Sequence, residues 1–417
     1  MTASAQLRIA RLATTSAVHR AFHWLHLHQP QLRQWQLELL RIPAPPFGEQ
    51  ARAAWFLDRF RQLGLANPHI DAAGNTLAEL PGASTQGSDP RTPEVILLSA
   101  HLDTVFPSGT PTEPTEIDTR ILAPGACDNA AGLTGLLGLA AAMRHAELSP
   151  AVPILFAANV GEEGEGDLRG MRHLFTSSPY APHIAAAIAL EGGGTSAVVT
   201  RALASRRFRI TVTGPGGHSW IDAGAPNPIL ILARALLALE SLDLPNGDPR
   251  TTLNIGQISG GTSINSIPAA ATAWLDLRST DPDQLLAAEL ALRESLDQWI
   301  THAPTLAPAK KPAAPLTGLS IETIGDRPGG ALPDSAALLT TLRAVDRHLN
   351  QRTEPGLGST DANIPLSLGV PAIAIGAGGI GGGIHTLQEW YDPTGRNAAL
   401  RRVLLTLLDT AHLASLE

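Results

Sequence analysis

Five short segments combine acids and imidazoles in ways that could hold metal ions and activate water. His101-Leu102-Asp103 directly follows the apolar run at 94–100, EVILLSA. An imidazole two residues from a carboxylate shares its side-chain direction if the strand continues. Asp103 could then hold one tautomer of the His101 ring while the other nitrogen binds a metal. Asp128 opens a small-residue helical stretch after Gly125-Ala126-Cys127, where its commoner role is an N-cap. Glu162 and Glu163 stand among glycines at 159–166, and crowding like charges there costs Coulomb energy unless solvent screens them or a cation holds them. The regular Asp/Asn spacing of a calcium loop is absent. Glu191 ends the run IAAAIAL and precedes three glycines that permit close backbone approach. His385 lies far downstream, in GGGIHTLQEW at 381–390. A lone loop histidine usually carries no chemistry. Together, however, His101, Asp128, Glu163, Glu191 and His385 supply two imidazoles and three carboxylates, a set suited to two zinc-like ions if one carboxylate bridges.

The elements that must position these residues are short. Near-continuous apolar runs at 94–100, 152–159, 184–190 and 371–376 read as parallel strands covered on both faces. Helical spacing lies between them at 130–146, 335–349 and 397–413, the second opened by Asp334 as an N-cap after Pro333. Residues 1–37 read as a helical lead-in broken at Thr14-Thr15-Ser16. Between about 200 and 324 the texture changes. RFRITVT at 207–213 and ATAWLDLR at 271–278 alternate polar and apolar residues as half-exposed antiparallel strands do, with a helix at 228–242 between them. The expected fold is therefore α/β: a discontinuous catalytic domain (1–199 and 326–417) with a mixed, mostly parallel sheet flanked by helices, and an inserted α+β domain at 200–325. The Ala/Pro-rich segment 304–315 reads as an exposed loop of the insert.

Composition narrows the function. Among 417 residues, 30 Lys plus Arg against 38 Asp plus Glu leave a net charge of −8. The only lysines are Lys310 and Lys311, so no basic stripe exists to meet phosphates and nucleic acid is not an expected partner. Cys127 is the sole cysteine, which excludes intramolecular disulfides and multi-cysteine metal sites. Any metal must be held by His, Asp and Glu. No apolar run reaches the ~20 residues a membrane helix needs, and no secretory signal is seen, so a cytoplasmic location is expected.

In its order of segments the sequence resembles the zinc-dependent amidohydrolases that include aminoacylase, acetylornithine deacetylase, succinyl-diaminopimelate desuccinylase, carboxypeptidase G and tripeptidase T. The resemblance runs from about Ile42 to the C-terminus, through IPAPPFGE at 42–49, HLDTV, the Asp128 loop, GEEG, the Glu191 strand end and IHTLQEW. It implies that Asp128 bridges two divalent ions, zinc or else cobalt or manganese. His101 and Glu191 would complete one site, and Glu163 and His385 the other. Asp103 would orient His101. Glu162 would be the general base that takes a proton from the attacking water and delivers it to the leaving amine. Asp128-Asn129 becomes a candidate for a cis peptide bond.

The inserted region resembles the family's lid and dimerisation domain. Its GPGGHS loop at 214–219 would present His218 to the scissile carbonyl, across a homodimer in dimeric members. GGTSINSIP at 260–268 and DLR at 276–278 resemble the substrate-carboxylate region, with Asn265 and Arg278 as contacts. STDAN at 359–363 resembles a late turn near the substrate pocket.

The substrate implied is a short peptide or an N-acyl amino acid. Glutamate at position 191 is commoner among deacylases of the family, whereas the GEEGEGDLRG and GGHSW segments have a peptidase look. Rival readings are a non-catalytic metal-binding scaffold of the same fold and a dinucleotide-binding oxidoreductase. The second rests on G-x-G-x-x-G at 376–381, but no helix pattern follows it. Cys127 as a nucleophile is disfavoured by the neighbouring Asp128 charge.

Overall fold

Strands buried on both faces need helices above and below, and the chain supplies them in alternation. In the computed structural model, which describes residues 2–83, 94–301 and 318–413, the backbone divides into two units. One runs to Ala202 and resumes at Gly330; the other is Leu203–Gly329. The segment 304–315 lies outside the described residues.

The first unit is built on a nine-stranded mixed sheet. Its centre is parallel: Ile154–Asn159, Val95–His101, Ile184–Leu190 and Ala372–Ile375 lie side by side in that order. Antiparallel strands flank it, Ala66–Ile70 and Thr76–Leu80 on one side and Ala197–Ala202 with Gly330–Ala331 on the other. Every residue of Val95–His101 and Ile154–Asn159 is buried, the physical reason their runs do not alternate. Helix Ala130–His145 is buried from Ala130 to Met143, because the sheet covers one side and helices Ser16–Leu27 and Gln29–Leu40 the other. The lead-in does break where Thr15 stands: its side chain accepts a hydrogen bond from the Val18 amide and starts a new helix.

Two expected caps fall elsewhere. Helix Ala337–His348 begins after Asp334, with Ala336 at the N-cap, and Asp334 instead pairs with Arg343 at 2.9 Å. Asp128 is not the cap of Ala130–His145 either. Asn129 is, with its Oδ1 accepting from the Gly132 amide at 3.1 Å.

The second unit is a four-stranded antiparallel sheet in the order Thr251–Gly260, Ala270–Ser279, Ala204–Thr213, Gly318–Arg327. Phe208, Ile210, Val212, Leu275 and Leu277 pack with Leu232 and Leu292 of helices Pro228–Ala238 and Pro282–Thr301. The sheet's alternating burial follows from helices covering a single face. The helix expected over 228–242 tightens into a 3₁₀ turn at Leu239–Ser241. Among the described residues no helix is long and apolar enough to cross a membrane.

Asn129 joins elements of the first unit. Besides capping its helix it donates from Nδ2 to the Leu190 carbonyl at 2.9 Å and accepts from the Gly192 amide at 3.0 Å, pinning the end of the Glu191 strand. Asn129→Ala removes the cap and leaves two buried backbone groups unpaired. The expected cost is about 2–4 kcal/mol, measurable by denaturant unfolding; an unchanged midpoint would refute this role.

Candidate metal centre

The sequence-selected ligands come from the carboxyl ends of parallel strands and the loops beyond them, where open α/β sheets form their sites. His101 ends its strand, Glu163 follows Ile154–Asn159, and Glu191 is the first residue past Ile184–Leu190. Asp128 precedes helix Ala130–His145 across a cis peptide bond to Asn129. His385 sits in the loop after Ile380–Gly382 with φ of 63°, a left-handed conformation that non-glycine residues adopt at a cost.

The structure brings all five together around Asp128. Its Oδ1 lies 3.0 Å from His101 Nε2, which is also 3.3 Å from Glu191 Oε1. Its Oδ2 lies 3.0 Å from His385 Nε2, which is also 2.9 Å from Glu163 Oε1. One carboxylate thus faces two His/Glu pairs, one with each oxygen. Ligand atoms of His101, Asp128 and Glu163 fall within 4.8 Å of one another, and Glu191 Oε2 is buried with no hydrogen-bond partner. A donor set of imidazoles and carboxylates with an orphaned buried oxygen fits divalent zinc, cobalt or manganese.

The electrostatics follow from crowding. Burial, with the Asp128 charge beside it, pushes the Glu163 carboxyl up to about 7. Burial also raises Glu191. Burial would raise Asp128 as well, but hydrogen bonds from His101 and His385 outweigh it and hold this carboxyl well below the usual range. The Asp128 hydrogen bond, with the Glu163 charge, lifts His385 to about 9. For His101 burial opposes the charged ring, yet Glu191, Asp103 and Asp128 prevail and raise it well above its ordinary value.

Asp103 does more than orient a ring. His101 Nδ1 is 3.1 Å from the Asp103 carbonyl and 3.6 Å from its Oδ1. The Asp103 carboxylate accepts from the Glu162 and Glu163 amides, at 3.0 and 2.7 Å. It therefore ties the His101 strand end to the turn carrying both glutamates. Glu162 is 4% exposed. Arg52, which the sequence reading passed over, donates to the Ile42 and Leu102 carbonyls at 2.6 and 2.7 Å, fastening the early 42–49 loop to the same strand end. Asp361, from the STDAN turn, is buried, accepts from Asn159 Nδ2 at 2.8 Å and is pushed up to about 7 by that burial.

The glycine run at 376–381 is explained by packing. It leads into the short strand Ile380–Gly382 rather than a helix, and a Cβ at Gly378 would lie 2.5 Å from the Ala399 Cβ. The dinucleotide reading has no helix N-terminus to rest on.

In the second unit, the pair Gly217–His218 and Ser266–Ile267 joins two exposed loops. His218 Nδ1 accepts from the Trp220 and Ile221 amides at 3.1 and 3.4 Å, so the neutral ring carries its proton on Nε2 as a donor. The Asn265 carbonyl accepts from the Ser219 amide at 3.0 Å, which puts Asn265 beside His218. Arg278 is elsewhere. It lies eight residues beyond Ala270 on Ala270–Ser279, about 26 Å along the strand at ~3.3 Å per residue, and its Nε donates to Asp276 at 2.6 Å.

Residues 97–410 match Peptidase family M20/M25/M40, and the chain belongs to this family. A probable carboxypeptidase of Aspergillus clavatus is 31% identical over 261 residues, 55% of this chain and 54% of its own length. The chain's matches span about half the length of the curated fungal relatives. Among solved structures, a Staphylococcus aureus tripeptidase aligns over 91% of this chain and 98% of its own, with TM-score 0.70 and 21% identity. A dinuclear metal-binding M20 peptidase of Bacillus subtilis aligns over 92% and 99%, with TM-score 0.64 and 15% identity. At these identities the structural likeness speaks for the fold.

Metal ligands must be deprotonated, so protons held on His385 and Glu163 are released when ions enter. Affinity is expected to rise as pH climbs from about 7 toward about 9, the values of Glu163 and His385. Calorimetry at pH 8 in buffers of different ionisation enthalpy should report at least one proton released. A pH-independent affinity over this window would contradict the assignment.

Proposed function

We propose that the chain is a dinuclear metal-dependent hydrolase that cleaves the amide bond of a small carboxylate-bearing substrate, a short peptide in the first instance. The observation carrying this reading is the Asp128 carboxylate, with one His/Glu pair against each oxygen. His101 and Glu191 would hold one divalent ion, Glu163 and His385 the other, and Asp128 both. Ions bound there would acidify a water and polarise the acyl carbonyl. Glu162 would serve as the general base that moves a proton from the attacking water to the leaving amine, and the Asp103 bond to its amide fixes where its backbone sits. The Nε2 donor of His218 meets the negative charge that develops on the carbonyl oxygen. Asn265 and Arg278 bind the substrate carboxylate.

This assignment of roles calls for a homodimer formed through the second unit. Within one chain Arg278 is too far along its strand from Asn265 for both to touch one small carboxylate, whereas a second copy could bring the opposite end. The edge strand Thr251–Gly260 offers Ile255 and Ile258 exposed at 41% and 54%, an apolar edge suited to pairing. A peptide substrate is favoured by the names of the relatives, carboxypeptidase and tripeptidase among them. Cleavage of N-acyl amino acids is the second reading, on the glutamate at position 191.

Protein loaded with zinc, cobalt or manganese should hydrolyse members of a panel of di- and tripeptides and N-acetyl amino acids, and lose activity on chelation. Glu162→Gln should lower kcat by about 10²–10⁴ with metal content unchanged. His218→Ala should lower it by about 10²–10³. Full activity in Glu162→Gln would overturn the base assignment, and turnover of acylated amino acids alone would select the deacylase.

A further inference from the structure

The loop that delivers Asp128 is pinned by two buried side chains that do not themselves face the metal centre's ligand atoms. Glu389 is fully buried, and its carboxylate accepts three backbone bonds from this loop: Oε1 from the Cys127 and Asp128 amides, both at 2.8 Å, and Oε2 from the Gly125 amide at 2.9 Å. Its own carbonyl accepts from the Ala123 amide at 3.0 Å. The Ala126 carbonyl, on the same stretch, accepts from Gln36 Nε2 at 2.9 Å. Gln36 is also fully buried, and its Oε1 accepts from Arg396 Nη1 at 3.2 Å. Three distant parts of the chain thus meet on four peptide groups: helix Gln29–Leu40, the start of helix Arg396–Thr410 and the His385 loop.

The chemistry of Glu389 argues against mere filling. An apolar side chain would pack the same volume without adding another acid near Asp128, Glu163 and Glu191. A carboxylate is required only if several N–H donors must converge on one point, and charge-assisted bonds to backbone amides are the strong kind. Glu389 also lies four residues from His385 in the same loop. Whatever holds Glu389 to the Asp128 loop therefore holds the two ligand-bearing segments to each other.

Resting on the metal-centre reading given above, we propose that Glu389 and Gln36 are positioning residues that aim the Asp128 carboxylate between its two His/Glu pairs. Glu389→Gln replaces one acceptor with an amide donor facing a backbone N–H, and Gln36→Leu removes the bond to the Ala126 carbonyl at similar volume. Cys127, 2% exposed within the loop, reports its order, since its thiol is shielded.

The test is zinc titration of the full chain against a competing chelator, beside the rate at which Cys127 reacts with a thiol reagent under native conditions. Wild-type protein should take two ions and keep Cys127 protected. Glu389→Gln, Glu389→Ala and Gln36→Leu should each bind at least one ion about 10- to 100-fold more weakly, with Cys127 reacting faster while the melting transition persists. Should Glu389→Ala not fold, the other two variants decide. Unchanged affinities would overturn the positioning role, and so would weakened binding with Cys127 still protected, which would assign the effect to charge. Failure of the wild-type chain to take two ions would instead overturn the metal centre itself.

Discussion

Asp128 can face two histidine–glutamate pairs only if three acids are held within a few ångström of one another, and the first unit is organised around that constraint. Two like charges at 4 Å cost about 4 kcal/mol even at an effective dielectric of 20. The chain answers locally with two imidazoles, while burial raises the Glu163 and Glu191 carboxyls and the Asp128 hydrogen bond raises His385. A site that gathers protons for this reason will exchange them for divalent ions, because a cation satisfies several carboxylates at once where a proton satisfies one.

Holding such a cluster open requires rigid supports. His101 ends a strand buried along its whole length and Glu191 directly follows another strand with a buried end, so their backbones cannot retreat. The loops between are tied by side chains that spend their hydrogen bonds on backbone groups: Asp103 on the Glu162 and Glu163 amides, Asn129 on the Leu190 and Gly192 peptide groups, Arg52 on the Ile42 and Leu102 carbonyls. Such bonds order the ligands without touching them, and supports of this kind typically matter 10- to 100-fold to a metal site. His385, held in a left-handed conformation, shows the surroundings overriding a local preference.

Much of this was legible in the sequence for one physical reason. Parallel strands buried on both faces are nearly apolar throughout, so the polar residues that end each run mark the carboxyl edge of the sheet; His101 and Glu191 stand there, and Glu163 follows in the loop beyond. The alternation in 204–213 and 270–279 betrayed a one-sided sheet just as plainly. What could not be read were relations between distant positions. Nothing local tells that Asp103 serves the amides of residues sixty positions away, or that Glu389 of IHTLQEW turns back onto the Asp128 loop. Asp334 and Asp128 look like caps because caps are local, yet Asp334 pairs with Arg343 and Asn129 takes the cap beside Asp128. Asn265 and Arg278 are close in number, but the extended strand between them carries them apart.

The two units divide the chemistry by what each kind of element can do. Charged ligands that must tolerate one another need the dense, doubly covered sheet of the first unit, where every neighbour is fixed. A group that stabilises charge only as it appears on a substrate oxygen has different needs. It should be neutral in the resting protein, carry its proton on the outward nitrogen and approach after the substrate is in place. Two backbone amides donate to His218 Nδ1, which leaves Nε2 as the donor, and the residue sits on an exposed pair of loops rather than in a core. Embedding that histidine among the carboxylates would have spent its Nε2 on them, as His101 and His385 spend theirs beside Asp128, Glu191 and Glu163.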